Sequence, residues 1–212
     1  MMKRCVIIGA GPIENYEIMK SYLEEGDFFI YCDGGLRHQD GLGVKPDLIV
    51  ADFDSYEEGR DADFGDIRVI RLPVMKDDTD SYHAAKEGLR LGFKSYLLLG
   101  LTGARLDHTL ANVGLIYMLF KSGAEACMVS DTEEVCVVGK DKTYVEGCYP
   151  FFSIMPVFGD VRGLTIKDAK YEVEDARLSL DYPYAISNEP LSNKRASISI
   201  SDGEALLVKV RS

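Results

Sequence analysis

The stretch Asp47-Leu48-Ile49-Val50-Ala51-Asp52-Phe53-Asp54-Ser55 decides the fold of this chain. Its apolar run is typical of a short strand that is buried on both faces, as in a parallel sheet covered by helices. Two carboxylates separated by one aromatic residue follow at once. If the chain stays extended there, Asp52 and Asp54 project to one side and Phe53 to the other.

The paired carboxylates indicate a cation site. Like charges about 4 Å apart repel by on the order of 4 kcal/mol near a protein surface, so a positive group is expected between them. Mg²⁺ binds carboxylate oxygens and usually shares its coordination shell with substrate phosphates. In open α/β sheets, ligands bind beyond the carboxyl ends of the strands, where this pair would lie. A solvated acidic turn is the alternative interpretation, and this stretch alone does not decide between the two.

Composition narrows the class of protein. The chain has 212 residues, of which 46% are hydrophobic, so it holds enough apolar material for one large or two small cores. A net charge of −11 argues against nucleic acid and anionic membranes as partners, although not against a nucleotide. The five cysteines form no C-x-x-C pair, which gives a zinc site little support. We find no signal peptide or membrane-spanning pattern and expect a cytoplasmic protein.

Strand and helix patterns alternate over the first 130 residues. Strands are predicted over 5–8, 28–32, 48–51, 67–72 and 96–101. Helices are predicted over 15–25, from an N-cap at Asp78 or Thr79 to Leu91, and over 105–122. This order predicts an α/β domain, residues 1–130, with a mainly parallel, Rossmann-like sheet flanked by helices.

The pattern changes after Gly123, where apolar runs recur between turn residues without a convincing helix. The clearest runs cover 134–138, 171–180, 196–200 and 205–210. Strict alternation in Ser197-Ile198-Ser199-Ile200-Ser201 predicts one buried and one solvated face. Residues 131–212 are therefore predicted to form a smaller antiparallel β-sandwich or barrel.

Acidic residues follow several of the predicted strands of the α/β domain. They are Asp33, before Gly34 and Gly35, then Asp52 and Asp54, Asp80, and Asp107. Lys76 and Arg105 lie among them and suit phosphate oxygens. Capping explains part of this pattern, since Asp107 could serve as the N-cap of the following helix. His108 has the chemistry of a base, but a single histidine is more often structural.

Taken in order, these motifs resemble those of the thiamine pyrophosphokinase family. The residues that carry the resemblance are Asp33-Gly34-Gly35, Asp52-Phe53-Asp54-Ser55, Asp77 to Asp80, Gly103 to Asn112 and Ser187-Asn188-Glu189. The resemblance implies an Mg²⁺-dependent thiamine diphosphokinase that transfers a pyrophosphoryl group from ATP to thiamine and releases AMP. It also implies a homodimer with sites between subunits. A related pyrophosphokinase acting on another alcohol, such as a pterin, and a non-catalytic thiamine or nucleotide sensor are the alternatives.

The resemblance also implies roles for individual residues. Asp52, Asp54 and Asp80 correspond to the metal-binding and catalytic acids, and Asp80 or Asp54 is the candidate base. The ATP contacts are Asp33, Lys76, Thr79, Arg105 and Asp107, and the thiamine contacts are Ser187 and Asn188. Ala51, Ala104 and Pro190 depart from the family pattern. Some relatives stack thiamine on a tryptophan, which this chain lacks, so a tyrosine or phenylalanine would have to serve.

Overall fold

A computed structural model describes residues 4–53, 64–73, 78–103, 105–182 and 184–211. The chain divides into two compact units, Met1–Asp131 and Thr132–Ser212. Among the described residues, no helix has both the length and the apolar character needed to cross a membrane.

The first unit is built on a parallel sheet, as its sequence predicts. Its six strands are β1 (Cys5–Ile8), β2 (Phe28–Cys32), β3 (Leu48–Ala51), β4 (Arg68–Arg71), β5 (Ser95–Leu99) and β6 (Glu125–Val129). They pair in the order β4-β3-β2-β1-β5-β6, and every pair is parallel. The chain order reverses between β1 and β5, which is where a doubly wound sheet opens a crevice for ligands.

Helices cover both faces of this sheet: α1 (Tyr16–Ser21), α2 (Gln39–Leu42), α3 (Asp80–Arg90) and α4 (Leu106–Lys121), with a 3-10 helix over Asp33–His38. Met19 of α1 packs in one core cluster with Val6, whereas Gly88 of α3 lies against Cys5. Neighbouring strand residues point to opposite faces, so α1 and α3 lie on opposite sides of the sheet.

Helix α1 is shorter than the predicted 15–25, although Asn15 is its N-cap as that boundary implies. After Ser21 the N–H groups of Tyr22 and Leu23 bond to carbonyls three residues earlier, and the α-helical pattern is not continued. Arg4 donates from Nη2 to the Tyr22 carbonyl at 2.5 Å, and the Glu24 N–H donates to Asp27 at 2.9 Å. These bonds replace those that would extend the helix.

The acidic motif after β3 does not have the extended backbone that we considered from the sequence. Strand β3 ends at Ala51, and Phe53 has a φ of 58°, so the chain is not extended through the acids. The Phe53 side chain is buried, with its ring 6.0 Å from that of Phe64 and the Arg71 guanidinium 4.7 Å from its centroid. Burial of this aromatic ring explains how the left-handed turn is held, since a bulky residue rarely adopts that conformation alone.

The second unit is antiparallel throughout its paired strands. They are β7 (Glu133–Val138), β8 (Thr143–Val145), β9 (Phe151–Met155), β10 (Val161–Lys167), β11 (Val173–Leu178), β12 (Ala196–Ser199) and β13 (Ala205–Val210). One set pairs as β7-β13-β9 and the other as β11-β10-β12-β8. Their apolar faces form one core that includes Phe152, Leu164, Ile198 and Leu207.

The alternating serine stretch is less exposed than its pattern predicts. Ser197 is only 8% exposed, although Ile198 is buried as expected. Strand β12 lies between β10 and β8, so its backbone is paired on both sides and little of Ser197 reaches solvent.

Candidate active site

A cavity of about 550 Å³ opens at the carboxyl edge of the parallel sheet in the first unit. The segments that follow β1, β2, β3 and β5 line it, together with the N-termini of α3 and α4. Six of the predicted site residues are among its lining: Asp33, Asp52, Thr79, Asp80, Arg105 and Asp107. Parallel topology accounts for their convergence, because the carboxyl ends of all six strands lie along one edge.

Three acids come together in this cavity, and we call Asp33, Asp52 and Asp80 the acid cluster. Each offers a carboxylate oxygen, and these oxygens all lie within 4.8 Å of one another. At an effective dielectric of about 20, each pair repels by on the order of 3 kcal/mol. A hard divalent cation with oxygen ligands would remove that repulsion, so the donor set fits Mg²⁺. Sequence reasoning placed Asp33 among the ATP contacts, whereas the structure groups it with the two acids.

Two predicted site residues, Asp54 and Lys76, lie outside the described residues.

Hydrogen bonds link Thr79 and Ser81, the sequence neighbours of Asp80, to Asn112 of α4, and sequence reasoning assigned no role to Ser81 or Asn112. The Ser81 hydroxyl donates to Asn112 Oδ1 at 3.0 Å, and Asn112 Nδ2 donates to the Leu101 carbonyl at 2.8 Å. Because Ser81 uses its proton on Asn112, the Thr79 hydroxyl must donate to Ser81, 3.0 Å away. Thr79 is also the N-cap of α3, which confirms one of the two predicted caps. These hydrogen bonds thus connect α3, α4 and the segment after β5.

The backbone at the cavity's inner wall is packed too closely for side chains. A Cβ on Gly11 would lie 2.6 Å from the Thr102 carbonyl oxygen, and one on Gly35 would lie 2.3 Å from that of Ile8. At Gly35, therefore, glycine is required by the protein's own strand β1 rather than by a ligand. The buried His38 ring spans the same region, with Nε2 2.9 Å from the Gly11 carbonyl and Nδ1 2.8 Å from the Tyr16 hydroxyl.

These contacts define the state of His38. Nε2 must carry a proton to bond the Gly11 carbonyl, so in the neutral ring Nδ1 accepts from Tyr16. Burial lowers the pKa of His38, which favours this neutral form. His38 therefore has a structural role next to the cavity wall, and no pattern in the sequence indicated it.

Arg105 and Asp107 pair with each other at the cavity mouth. The guanidinium donates from Nε at 3.1 Å and from Nη2 at 2.5 Å to the two carboxylate oxygens. This hydrogen bonding lowers the pKa of Asp107 to about 2. Both side chains are well exposed, at 67% and 64%, so an incoming anion can reach the guanidinium. Asp107 does not cap α4, because Arg105 is the N-cap residue and its position has no side-chain cap. His108 also lines the cavity and is exposed.

The two remaining site residues lie in the second unit and differ in exposure. Ser187 is exposed and has a φ of 55°, whereas Asn188 is only 3% exposed. Ser187 donates its N–H to Ser153 Oγ at 3.0 Å. The backbone of Asn188 pairs in both directions with Phe152, at 2.8 Å each.

A doubly wound parallel sheet with clustered carboxylates and an exposed arginine at its carboxyl edge is typical of enzymes that transfer phosphoryl groups from nucleotides. Family comparison is more specific. The model described as thiamin pyrophosphokinase, catalytic domain, matches residues 19–128, just over half of the chain, and the vitamin B1 binding domain of the same family matches residues 141–204. The chain belongs to the thiamin pyrophosphokinase family and is an enzyme, a thiamine diphosphokinase.

Individual relatives agree along the whole chain. The thiamine pyrophosphokinase of Bacillus subtilis is 26% identical over 215 residues, which cover 100% of this chain and 99% of the relative. A crystal structure of the Bacillus subtilis enzyme superposes with a TM-score of 0.85 at 23% identity, covering 99% of both chains. The structure from Geobacillus thermodenitrificans gives a TM-score of 0.85 at 24% identity, covering 99% of this chain and 98% of the other. These likenesses bear out the predicted fold.

Proposed function

We propose that the enzyme transfers the pyrophosphoryl group of ATP to the hydroxyl of thiamine, giving thiamine diphosphate and AMP. The main observation behind this proposal is that the acid cluster and the Arg105 guanidinium line the same cavity. Family membership supports thiamine and ATP as the substrates. The thiamine oxygen forms a bond to the β-phosphorus, and the bond from that phosphorus to the oxygen retained by AMP breaks, with the two oxygens in line.

The acid cluster is the proposed Mg²⁺ site, with Asp54 as a further ligand from the sequence motif. Bound Mg²⁺ would neutralise charge on the phosphate oxygens. Asp80 or Asp54 would take the proton of the thiamine hydroxyl as the new bond forms. The hydrogen bonds that Thr79 and Ser81 make with each other and with Asn112 would fix the backbone on either side of Asp80.

Arg105 is the proposed phosphate-binding residue, with Lys76 as a second cation from the sequence. A guanidinium matches two phosphate oxygens at once, as it matches the Asp107 carboxylate in this structure. Phosphate binding would therefore compete with the Asp107 pair. The N-terminus of α4 follows directly, and the helix dipole favours negative charge there. Thiamine binding is assigned to the second unit, at the segment that contains Ser187 and Asn188.

We further propose a homodimer with its sites at the subunit interface. Large apolar side chains of the second unit are exposed, among them Tyr171 at 58%, Leu180 at 63% and Tyr182 at 68%. The rings of Tyr182 and Tyr184 also lie 5.4 Å apart, and grouped exposed apolar side chains often mark a surface for association. Sedimentation of the purified protein tests the oligomeric state, and a monomer at micromolar concentration would exclude it.

A cytoplasmic location is the companion proposal. All five cysteines are free thiols, which suits a reducing compartment. Cell fractions can be denatured with and without reductant and their thiols labelled. We expect the protein in the cytoplasmic fraction, with the same labelling of its cysteines in both samples.

The activity is tested by incubating the protein with ATP, Mg²⁺ and thiamine, and separating the products by chromatography. We expect AMP and thiamine diphosphate in equal amounts, with both lost on addition of a chelator. Asp52→Asn serves as the matched inactive control. AMP formed without thiamine would indicate another acceptor, such as a pterin, or hydrolysis. Saturable binding of thiamine or ATP without turnover would indicate a sensor.

A further inference from the structure

The buried amide of Asn188 makes three hydrogen bonds to the protein's own backbone. Oδ1 accepts from the Tyr171 N–H at 3.0 Å and from the Glu189 N–H at 2.9 Å, and Nδ2 donates to the Tyr171 carbonyl at 2.8 Å. The side chain therefore pairs with Tyr171 as a neighbouring strand would. Three of its four hydrogen-bonding positions are used, and the residue is only 3% exposed.

This pairing extends a short ladder between two irregular segments. The Leu191 N–H donates to the Asp168 carbonyl at 2.9 Å, and the Lys170 N–H donates to the Glu189 carbonyl at 2.8 Å. At the next position along, the side chain of Asn188 takes the place of the backbone. It thus holds Tyr171, whose side chain is 58% exposed, at the end of the ladder.

Ser187 has the opposite character. It is exposed, and its φ of 55° is uncommon for a residue other than glycine. Two neighbouring contacts hold this backbone: the bond from its own N–H to Ser153 Oγ and the Asn188 pairing with Phe152. Strain that the surroundings maintain in this way is common where a side chain must be presented to a ligand.

We propose that Asn188 is a positioning residue that fixes Tyr171 and Ser187, and that of the Ser187-Asn188 pair the serine hydroxyl alone contacts thiamine. The inference rests on the proposed function for the identity of the ligand. The role of Asn188 as a clamp rests on geometry alone, so the two parts can be tested separately.

The clamp is tested by amide hydrogen exchange in Asn188→Ala, compared with the wild type. Loss of Oδ1 should speed exchange at the Tyr171 and Glu189 amides by about tenfold, while the amides of β13 keep their protection. Asn188→Asp keeps an acceptor for both N–H groups but loses the donor to the Tyr171 carbonyl, so it should restore their protection in part. Unchanged exchange at both amides in Asn188→Ala would overturn the clamp, whether or not the protein turns over thiamine.

The ligand assignment is tested by the KM for thiamine in the same variants. Ser187→Ala should raise KM by about threefold to tenfold with normal amide protection, as expected for one lost hydrogen bond. In Asn188→Ala, KM and amide exchange should rise together, and in Asn188→Asp both should return toward the wild-type values. A raised KM in an Asn188 variant with normal protection, or an unchanged KM in Ser187→Ala, would overturn the assignment.

A measurement on the wild-type protein covers the case in which the Asn188 variants do not fold. Isotope-filtered nuclear Overhauser spectra with bound thiamine should show contacts to the β-protons of Ser187 and none to the Nδ2 protons of Asn188. Contacts to the Asn188 amide would overturn the proposal. Failure of thiamine to bind the wild type at all would refute the proposed function instead, and the exchange measurement would still decide the clamp.

Discussion

The hydrogen bonds of Asn112 with Ser81 and with the Leu101 carbonyl predict how much stability Asn112→Ala should lose. This change leaves the Leu101 carbonyl and the Ser81 hydroxyl without their partner in a buried region, since Ser81 and Asn112 are 6% and 7% exposed. Two hydrogen bonds at about 1 kcal/mol each, plus the cost of an unsatisfied buried group, give a loss of about 3 kcal/mol. For a chain of this length, that loss lowers Tm by about 6 to 12 °C.

The arrangement also predicts coupling between Asn112 and Ser81. Ser81→Ala alone should cost about 1.5 kcal/mol, because it leaves Asn112 Oδ1 unpaired. In the double variant the shared bond is lost only once, so the combined loss should be about 1 kcal/mol smaller than the sum of the two. Asn112→Asp keeps the acceptor for Ser81 and loses the donor to Leu101, so it separates the two bonds.

Differential scanning calorimetry, with and without Mg²⁺, measures these effects. Because Ser81 adjoins Asp80, we expect the Mg²⁺-induced rise in Tm to shrink in Asn112→Ala. Strictly additive losses of stability in the double variant would refute the coupling between Ser81 and Asn112. A Tm of Asn112→Ala within about 2 °C of the wild type would refute the contribution of these hydrogen bonds to the stability of the site.

Three further predictions concern the cavity. Asp52→Asn should abolish the rise in Tm that Mg²⁺ gives the wild-type protein, and a rise of wild-type size in calorimetry would contradict the proposed metal site. Arg105→Lys should raise the KM for ATP by about tenfold, since one ammonium cannot form two parallel bonds; an unchanged KM would remove Arg105 from the phosphate site. Because the pKa of His38 is lowered in the folded protein, the free energy of unfolding of the wild type should fall as pH drops below about 6.5. In urea titrations, His38→Gln should show a weaker pH dependence, and equal pH dependence in the two proteins would contradict this role of His38.

The sequence predicted the architecture because local signals and topology agreed. Short apolar runs between helix patterns left few alternatives to a parallel sheet, and the acids after the strands then had to share one edge. The main local error arose at Phe53, where the acidic motif was read as extended chain. A buried aromatic ring turns the backbone there, and no periodicity signals such a tertiary contact.

Side chains that support the cavity were harder to find. Ser81 and Asn112 lie in different helices and are 31 residues apart, and each alone is an ordinary helix residue. His38 acts through the Gly11 carbonyl, 27 residues away. Partners of this kind are defined only by the fold, whereas Asp52 and Asp80 could be singled out from the sequence because charge beside apolar strands is a strong signal.

The buried backbone around the acid cluster explains how the first unit keeps three carboxylates close together. The carboxylate oxygens of Asp33, Asp52 and Asp80 lie within 4.8 Å of one another, so the backbone that carries them must hold them together against mutual repulsion. Strands β1 and β3 are buried at every residue, and the close backbone contacts at Gly11 and Gly35 leave little freedom to separate. Rigidity of this wall therefore keeps the three carboxylates close together. On the proposed Mg²⁺ site, a bound cation would offset their repulsion, so removing one acid should weaken the stabilisation of the protein by Mg²⁺.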